Sequence, residues 1–344
     1  MSKPLRKNFL YAGIALTAFI ATSALIHSLL PPMIPKGVAA KLRFFSEHKD
    51  EFDTVVVGTS AFYYSVSPEI FDATTRENGL PTRTFNFGID GMHPPENFYV
   101  LDQILKTRPQ KLKWILLELG EVRARWDNIL GTQRAVYWHD WPRTRLTLKQ
   151  ALNPRGNANW FIQLTRLWLA RRDFALNLGL FGKQFANVGR AHDLLAAADR
   201  ERYADAALEL GPHNDGYRTA GDAMPADKAV SYKQRLAQEI SQANFKDLDP
   251  ATDTGYRDAA QRIRAAGAAP VFVVAPVIFQ TRPRFGQSPS PAPIIAFNDA
   301  QKYPEFYDPK VRIDDAHLTR PGAEDFCRVL ARDFVRIAQP ALKQ

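Results

Sequence analysis

Four short apolar runs constrain this chain more than any other feature: Thr54 to Val57, Thr82 to Phe87, Trp114 to Leu119 and Pro270 to Ala275. Each is too short for a buried helix and is rich in apolar or β-branched residues. Such runs suit strands covered on both faces, as in a parallel sheet packed between helices. Amphipathic stretches separate them. Pro95 to Lys106 puts Phe98, Leu101, Ile104 and Leu105 on one side, and Asp253 to Ala266 precedes the Pro270 run. Strand alternating with helix predicts a doubly wound α/β layer. Residues 137–246 break the rhythm and read as a mostly helical insertion: helices at Trp160 to Phe174, Asp193 to Leu210 and Ala226 to Asn244, loops at Asn153 to Gly156 and Gly211 to Met224.

The N-terminus adds a second constraint. Phe9 to Leu30 is a run of about 22 residues without a charge, preceded by Lys3, Arg6 and Lys7 and ended by Pro31-Pro32. A hydrocarbon core takes about 20 apolar residues in helix, so the run is long enough for one crossing. Basic residues before it and none directly after place the N-terminus in the cytoplasm and the remainder outside. A cleaved signal peptide is the competing reading, because Thr22-Ser23-Ala24 offers small residues for a cut. The expected division is therefore an anchor at 1–30, a linker at 31–40 and a globular part at 41–344. The expected location is a bacterial inner membrane, single-pass, with the globular part in the periplasm or outside the cell.

Composition narrows the partners. The 344 residues carry a formal charge of +9, but the basic residues beyond the N-terminus are spread out. No basic stripe interleaved with aromatics appears, so nucleic acid is not an expected partner. Cys327 is the only cysteine, which excludes an intramolecular disulfide and a cysteine-rich metal site. His93, His139, His192, His213 and His317 are scattered without ligand spacing, so neither a metal nor another cofactor is expected. Gly58-Thr59-Ser60 lacks the lysine and second glycine of a phosphate-binding loop.

Chemistry is suggested at both ends of the globular part. The first strand runs straight into Gly58-Thr59-Ser60, and ligands of parallel α/β sheets sit at the carboxyl ends of strands. A serine opening the next helix presents its hydroxyl beside its own free N–H. Capping that helix is the ordinary alternative. Near the other end, Asp314-Asp315-Ala316-His317-Leu318 precedes an amphipathic helix carrying Phe326, Leu330 and Phe334. An Asp three residues before a His can hold one ring nitrogen and leave the other to take a hydroxyl proton. Asp315 is a rival for that role.

Together these blocks resemble the SGNH (GDSL-like) hydrolase superfamily. The likeness is to its membrane-anchored branch, related to D-alanyl transfer and alginate acetylation proteins of bacterial envelopes. It rests on strand-Gly58-Thr59-Ser60, on Phe85-Asn86-Phe87-Gly88-Ile89-Asp90-Gly91 and on Asp314-x-x-His317-Leu318. The resemblance implies a flavodoxin-like three-layer α/β/α fold, with Ser60 as nucleophile, His317 as base and Asp314 as its orienting acid. The Ser60 and Gly91 backbone amides would bind the oxyanion, although Gly91 also reads as an ordinary turn glycine. The implied activity is a serine esterase or O-acyltransferase acting on acyl, most simply acetyl, esters of envelope glycans or exopolysaccharides.

One departure stands out. The family usually carries Gly-x-Asn-Asp after its third strand, and that Asn donates to the oxyanion. This chain reads Leu117-Glu118-Leu119-Gly120-Glu121 and has no Asn there. Losing one such donor costs about 100- to 1000-fold in rate. Arg123 and Arg125 are the nearby positive groups. The departure keeps open a different class, a non-catalytic accessory of a membrane-bound O-acyltransferase or polysaccharide export system. Lipid esters are a further substrate reading, favoured by a deep apolar cleft. Aromatic residues near the blocks, Tyr63, Tyr137 and Trp138, are the expected sugar-lining positions.

Overall fold

A computed structural model of the protein describes residues 3–29, 34–153, 160–186, 206–286 and 289–341. Contacts divide the chain into two units, residues 36–122 with 203–344 and residues 1–35 with 123–202.

The first unit is built on five parallel strands: β1 (Thr54–Gly58), β2 (Thr84–Gly88), β3 (Trp114–Glu118), β5 (Ala269–Val274) and β7 (Ile294–Ala296). They lie in the order β2-β1-β3-β5-β7. Four of them are the apolar runs of the sequence. β7 was not expected, because three residues directly after Pro293 give too little periodicity to read. β4 (Phe245–Asp247) and β6 (Arg282–Arg284) form a separate parallel pair. Strand order reverses at β1, so the crevice between the carboxyl ends of β1 and β3 is where a doubly wound sheet binds ligands.

Helices cover both faces. On one, Val56, Leu116, Val273 and Ile295 pack with Phe62 of α3 (Ser60–Ser65), Phe71 of α4 (Pro68–Glu77) and Phe326, Leu330 and Phe334 of α12 (Arg320–Ala341). On the other, Phe45 of α2 (Lys36–His48) meets Phe87 at 5.2 Å between ring centroids. Phe98 of α5 (Glu96–Lys106) meets Tyr256 of α11 (Pro250–Ala265) at 4.9 Å, and Tyr256 meets Phe272 at 5.1 Å. A fully buried aromatic of this kind contributes about 1.5–3 kcal/mol through area alone. Residues 36–40, expected in the linker, are the first turn of α2, with Val38 and Ala40 buried.

The other unit is helical: α1 (Lys3–Leu29), α6 (Arg134–Tyr137), α7 (Trp141–Ala151) and α8 (Trp160–Ala186). Its α1 contains an apolar stretch, Arg6–Ile26, long enough to cross a membrane, as a single-pass anchor or a signal sequence would. Asp140 caps α7 by accepting the Arg143 N–H at 3.1 Å, and Pro142 occupies its first turn. Ala135, Val136 and Leu180 form a small core with Ile129 and Leu176. Asn177 fixes α8 by donating to the carbonyls of Ala124 and Asp173, both at 2.7 Å.

The insertion expected over 137–246 is divided differently. Residues 206–246, including α9 (Ala206–Leu210) and α10 (Ala226–Ser241), belong with the sheet. The reason is polar: Tyr63 reaches Glu209, Lys41 reaches the Gly216 carbonyl at 2.7 Å, and the Met224 N–H donates to the Arg312 carbonyl at 2.8 Å. Most of the helix expected at Asp193 to Leu210, and the loop at 154–156, lie outside the described residues.

Candidate active site

Thr59, not Ser60, caps α3: its hydroxyl accepts the Ala61 N–H at 3.1 Å. Ser60 is thus the first residue of the helix, where an N–H has no carbonyl behind it to bond. The turn is clamped from below. Glu118, the last residue of β3, accepts the Thr59 N–H at 2.5 Å and the Thr59 hydroxyl at 3.2 Å. Gly58 leaves the space for this carboxylate, because a Cβ there would stand 2.5 Å from Glu118 Oε2. Burial pushes the Glu118 carboxyl up to about 7, although the two Thr59 bonds and the His317 charge oppose that rise.

The opposite wall is the loop between residues 312 and 318. Its ends pair as an isolated antiparallel bridge, Arg312 with Leu318, and the Ile313 N–H donates to the His317 carbonyl at 3.0 Å. Within it, Asp314 Oδ1 accepts the N–H groups of Ala316 and His317, both at 2.8 Å. This Asx-type turn, local and short, aims the carboxylate at the ring two bonds on. Asp314 Oδ2 lies 2.8 Å from His317 Nδ1. Across the gap, His317 Nε2 lies 2.7 Å from Ser60 Oγ, bridging 257 positions of sequence. Asp315 turns away and pairs with Arg235 at 2.7 Å. Burial would raise the Asp314 carboxyl, but the His317 ring bond, the two backbone N–H groups and the imidazole charge outweigh it and hold the group down at about 2.

Beneath the loop lies Arg312, wholly buried. Its Nε donates to the Asp314 carbonyl at 3.0 Å, and its Nη1 to the carbonyls of Pro276 at 2.7 Å and Phe306 at 2.9 Å. No carboxylate neutralises it at close range in these bonds. The rings of Tyr307 and Tyr232 face its guanidinium at 5.5 and 5.7 Å. Burial accordingly lowers its affinity for the proton, against the pull of the two tyrosines and of Asp314 and Asp315.

Gly91 sits in the turn after β2 with φ +63°, a backbone that favours glycine. β1 and β2 are adjacent and in register, Gly58 against Gly88, so the Ser60 and Gly91 turns leave the same edge of the sheet. The β2 turn is held by two buried side chains. Asn86 donates to the carbonyls of Phe62 and Val66 and accepts the Gly88 N–H at 2.6 Å. Lys41 Nζ donates to the carbonyls of Asn86, Gly88 and Gly216 at 3.1, 2.6 and 2.7 Å. Burial lowers the Lys41 ammonium to about 7, despite the nearby charges of Glu209 and Asp215.

The aromatic expectations are corrected. Tyr63 is 1% exposed: Lys41 lies 3.9 Å over its ring and its hydroxyl donates to Glu209 at 3.0 Å. Tyr137 and Trp138 are 2% and 3% exposed, and Trp138 stacks on His139 at 3.8 Å inside the helical unit. None of the three presents a face for a sugar, because each completes a core. The half-buried neighbour is Tyr64, whose ring stands edge-on to His317 at 5.7 Å. It lines a recess of about 290 Å³ with Arg218, Gly221, Ile313 and His317. This is at the small end of ligand pockets. Arg123 lies over Trp126 at 4.7 Å and Arg125 pairs with Asp127.

Glu118, Arg312 and Lys41 were not anticipated as site residues. Signals existed for two of them. Glu118 is the one acid in an apolar strand, and Lys41 falls on the Val38–Phe45 face of α2. Among the described residues no cluster of three His, Cys, Asp or Glu could hold a metal ion. Comparison with family models, curated proteins and solved structures finds no match to this chain.

Proposed function

We propose that the protein is an extracytoplasmic, membrane-anchored serine hydrolase or O-acyltransferase of the SGNH type. The carrying observation is the chain of contacts Ser60 Oγ to His317 Nε2 at 2.7 Å and His317 Nδ1 to Asp314 at 2.8 Å. These three residue types in this geometry supply a nucleophile, its base and the group that fixes the base's tautomer. His317 takes the Ser60 proton as Oγ attacks an ester carbonyl. The resulting oxyanion is met by the Ser60 and Gly91 amides. Collapse expels the alcohol, which takes the proton from His317 and leaves acyl-Ser60. Water or a glycan hydroxyl then accepts the acyl group, again with His317 as base. The α1 stretch favours a substrate in the cell envelope.

The accessory reading draws on one observation: no Asn follows Gly120, where the family's amide donor is expected. The deciding experiment is hydrolysis of p-nitrophenyl acetate and fluorophosphonate labelling by the full chain in detergent, wild type beside Ser60→Ala and His317→Ala. Loss of both signals in the variants supports the enzyme. Equal rates and no labelling in all three would reject it in favour of the accessory.

A further inference from the structure

The two units differ in where they leave apolar side chains in solvent. In the sheet unit the large exposed ones, Leu208, Val230, Phe245 and Phe279, sit on separate elements. In the helical unit α8 alone carries Leu167, Trp168, Leu178 and Phe185, from 37% to 62% exposed. Leu167, Leu178 and Phe185 are spaced by eleven and seven residues, which at about 3.6 residues per turn puts them in one stripe. The opposite side of α8 is occupied: Leu176 and Leu180 pack with Ala135 and Val136 of α6. The stripe therefore faces away from the unit's own core.

The neighbouring element says what covers it. Nearly all of α1 is exposed, yet Ser23 is buried, and its hydroxyl donates to the Ala186 carbonyl at the end of α8, at 3.5 Å. Ser23 lies near the outer end of the Arg6–Ile26 stretch, so α8 ends beside the place where that stretch would leave the hydrocarbon. Arg166, Arg171, Arg172 and Asp173 bar α8 from crossing a bilayer itself. An apolar stripe flanked by arginines, with Arg172 5.5 Å from the Trp168 ring, is instead the composition of a helix lying at the lipid headgroups. We infer that α8 is an interfacial helix whose Leu167–Leu178–Phe185 stripe is embedded in the outer leaflet beside α1. This rests on the membrane-anchor part of the function proposed above and extends it from one point of attachment to a second.

The test uses the full chain in phosphatidylcholine–phosphatidylglycerol vesicles, with Leu178→Cys and, separately, Phe185→Cys labelled by an environment-sensitive fluorophore. Cys327 is fully buried and stays unlabelled. Vesicle flotation of the same samples reports the anchor. Flotation, a blue-shifted emission, loss of most of that emission to spin-labelled lipid and protection from iodide are expected at both positions. Flotation with quenching by iodide and not by lipid would overturn the inference while leaving the anchor standing. Flotation with neither quencher effective would also overturn it, assigning the stripe to a second copy or another membrane protein. Failure to float would remove the anchor reading and the inference with it.

Discussion

Two turns hold the candidate site, and they are held by opposite means. The Gly58–Ser60 turn is clamped by a buried acid, Glu118, that accepts hydrogen bonds from it. The loop between 312 and 318 is clamped by a buried base, Arg312, that donates to its backbone. A backbone N–H needs an acceptor and a carbonyl needs a donor, so each turn has recruited the charge its orphan groups require. The consequence differs. Glu118 changes protonation near neutral pH, whereas a guanidinium keeps its proton throughout the working range. One side of the site is therefore sensitive to pH in its scaffold and the other is not.

The largest effect tests whether the two turns act together at all. Ser60→Ala should lower ester turnover by about 10⁵-fold or more, because members of a nucleophile–base unit are not independent. A loss under tenfold in steady-state assay would separate the turns functionally. The two aspartates of the loop come next. Asp314→Asn should cost about 10³- to 10⁴-fold in kcat by releasing the His317 tautomer, while Asp315→Asn, which breaks only an exposed pair with Arg235, should stay within a few-fold. Reversal of that ranking would move the orienting role to Asp315.

Stability sharpens the contrast further. Arg312→Met should destabilise by about 3–5 kcal/mol in denaturant titration, since it strands three buried carbonyls at about 1–3 kcal/mol each. An unchanged midpoint would show that the loop stands without its clamp. Glu118→Gln keeps an acceptor for the Thr59 N–H and removes the titration. The folded-state value of about 7 lies above the ordinary 4.5, so the wild type holds its full stability below pH 4.5 and loses it as pH rises through 7. The variant should therefore be the more stable at pH 8, by about 3–4 kcal/mol, and equal at pH 4. Parallel pH profiles for the two proteins would contradict a buried, titrating Glu118. The smallest shift belongs to Asp314, whose lowered value means that its contribution is present above pH 4 and fades as pH falls toward 2. Asp314→Asn should flatten only that acid limb.

Much of this arrangement was legible in advance, for identifiable reasons. Strands β1, β3 and β5 announced themselves because a strand buried on both faces is mostly apolar, and β2 through its Phe85 and Phe87. Ser60, Asp314 and His317 stood out because Asp and His lie within one short loop and Ser follows a strand directly. The aromatics misled: Tyr63, Tyr137 and Trp138 sit beside the motifs in sequence, but burial is a property of packing and not of proximity along the chain.

By itself the sequence determined what local patterns can determine: a parallel α/β layer, an apolar N-terminal stretch, and Asp314 within three residues of His317. Only the tertiary structure decided what depends on residues far apart. It set Ser60 against His317 across 257 positions, put a carboxylate under the nucleophile turn and chose Asp314 over Asp315 as the ring's partner. It also left Leu167, Leu178 and Phe185 of α8 partly exposed. The physical reason is the same in each case. Short-range hydrogen bonds and periodicity are fixed by neighbours in the chain, whereas burial, charge recruitment and exposure are fixed by which surfaces meet.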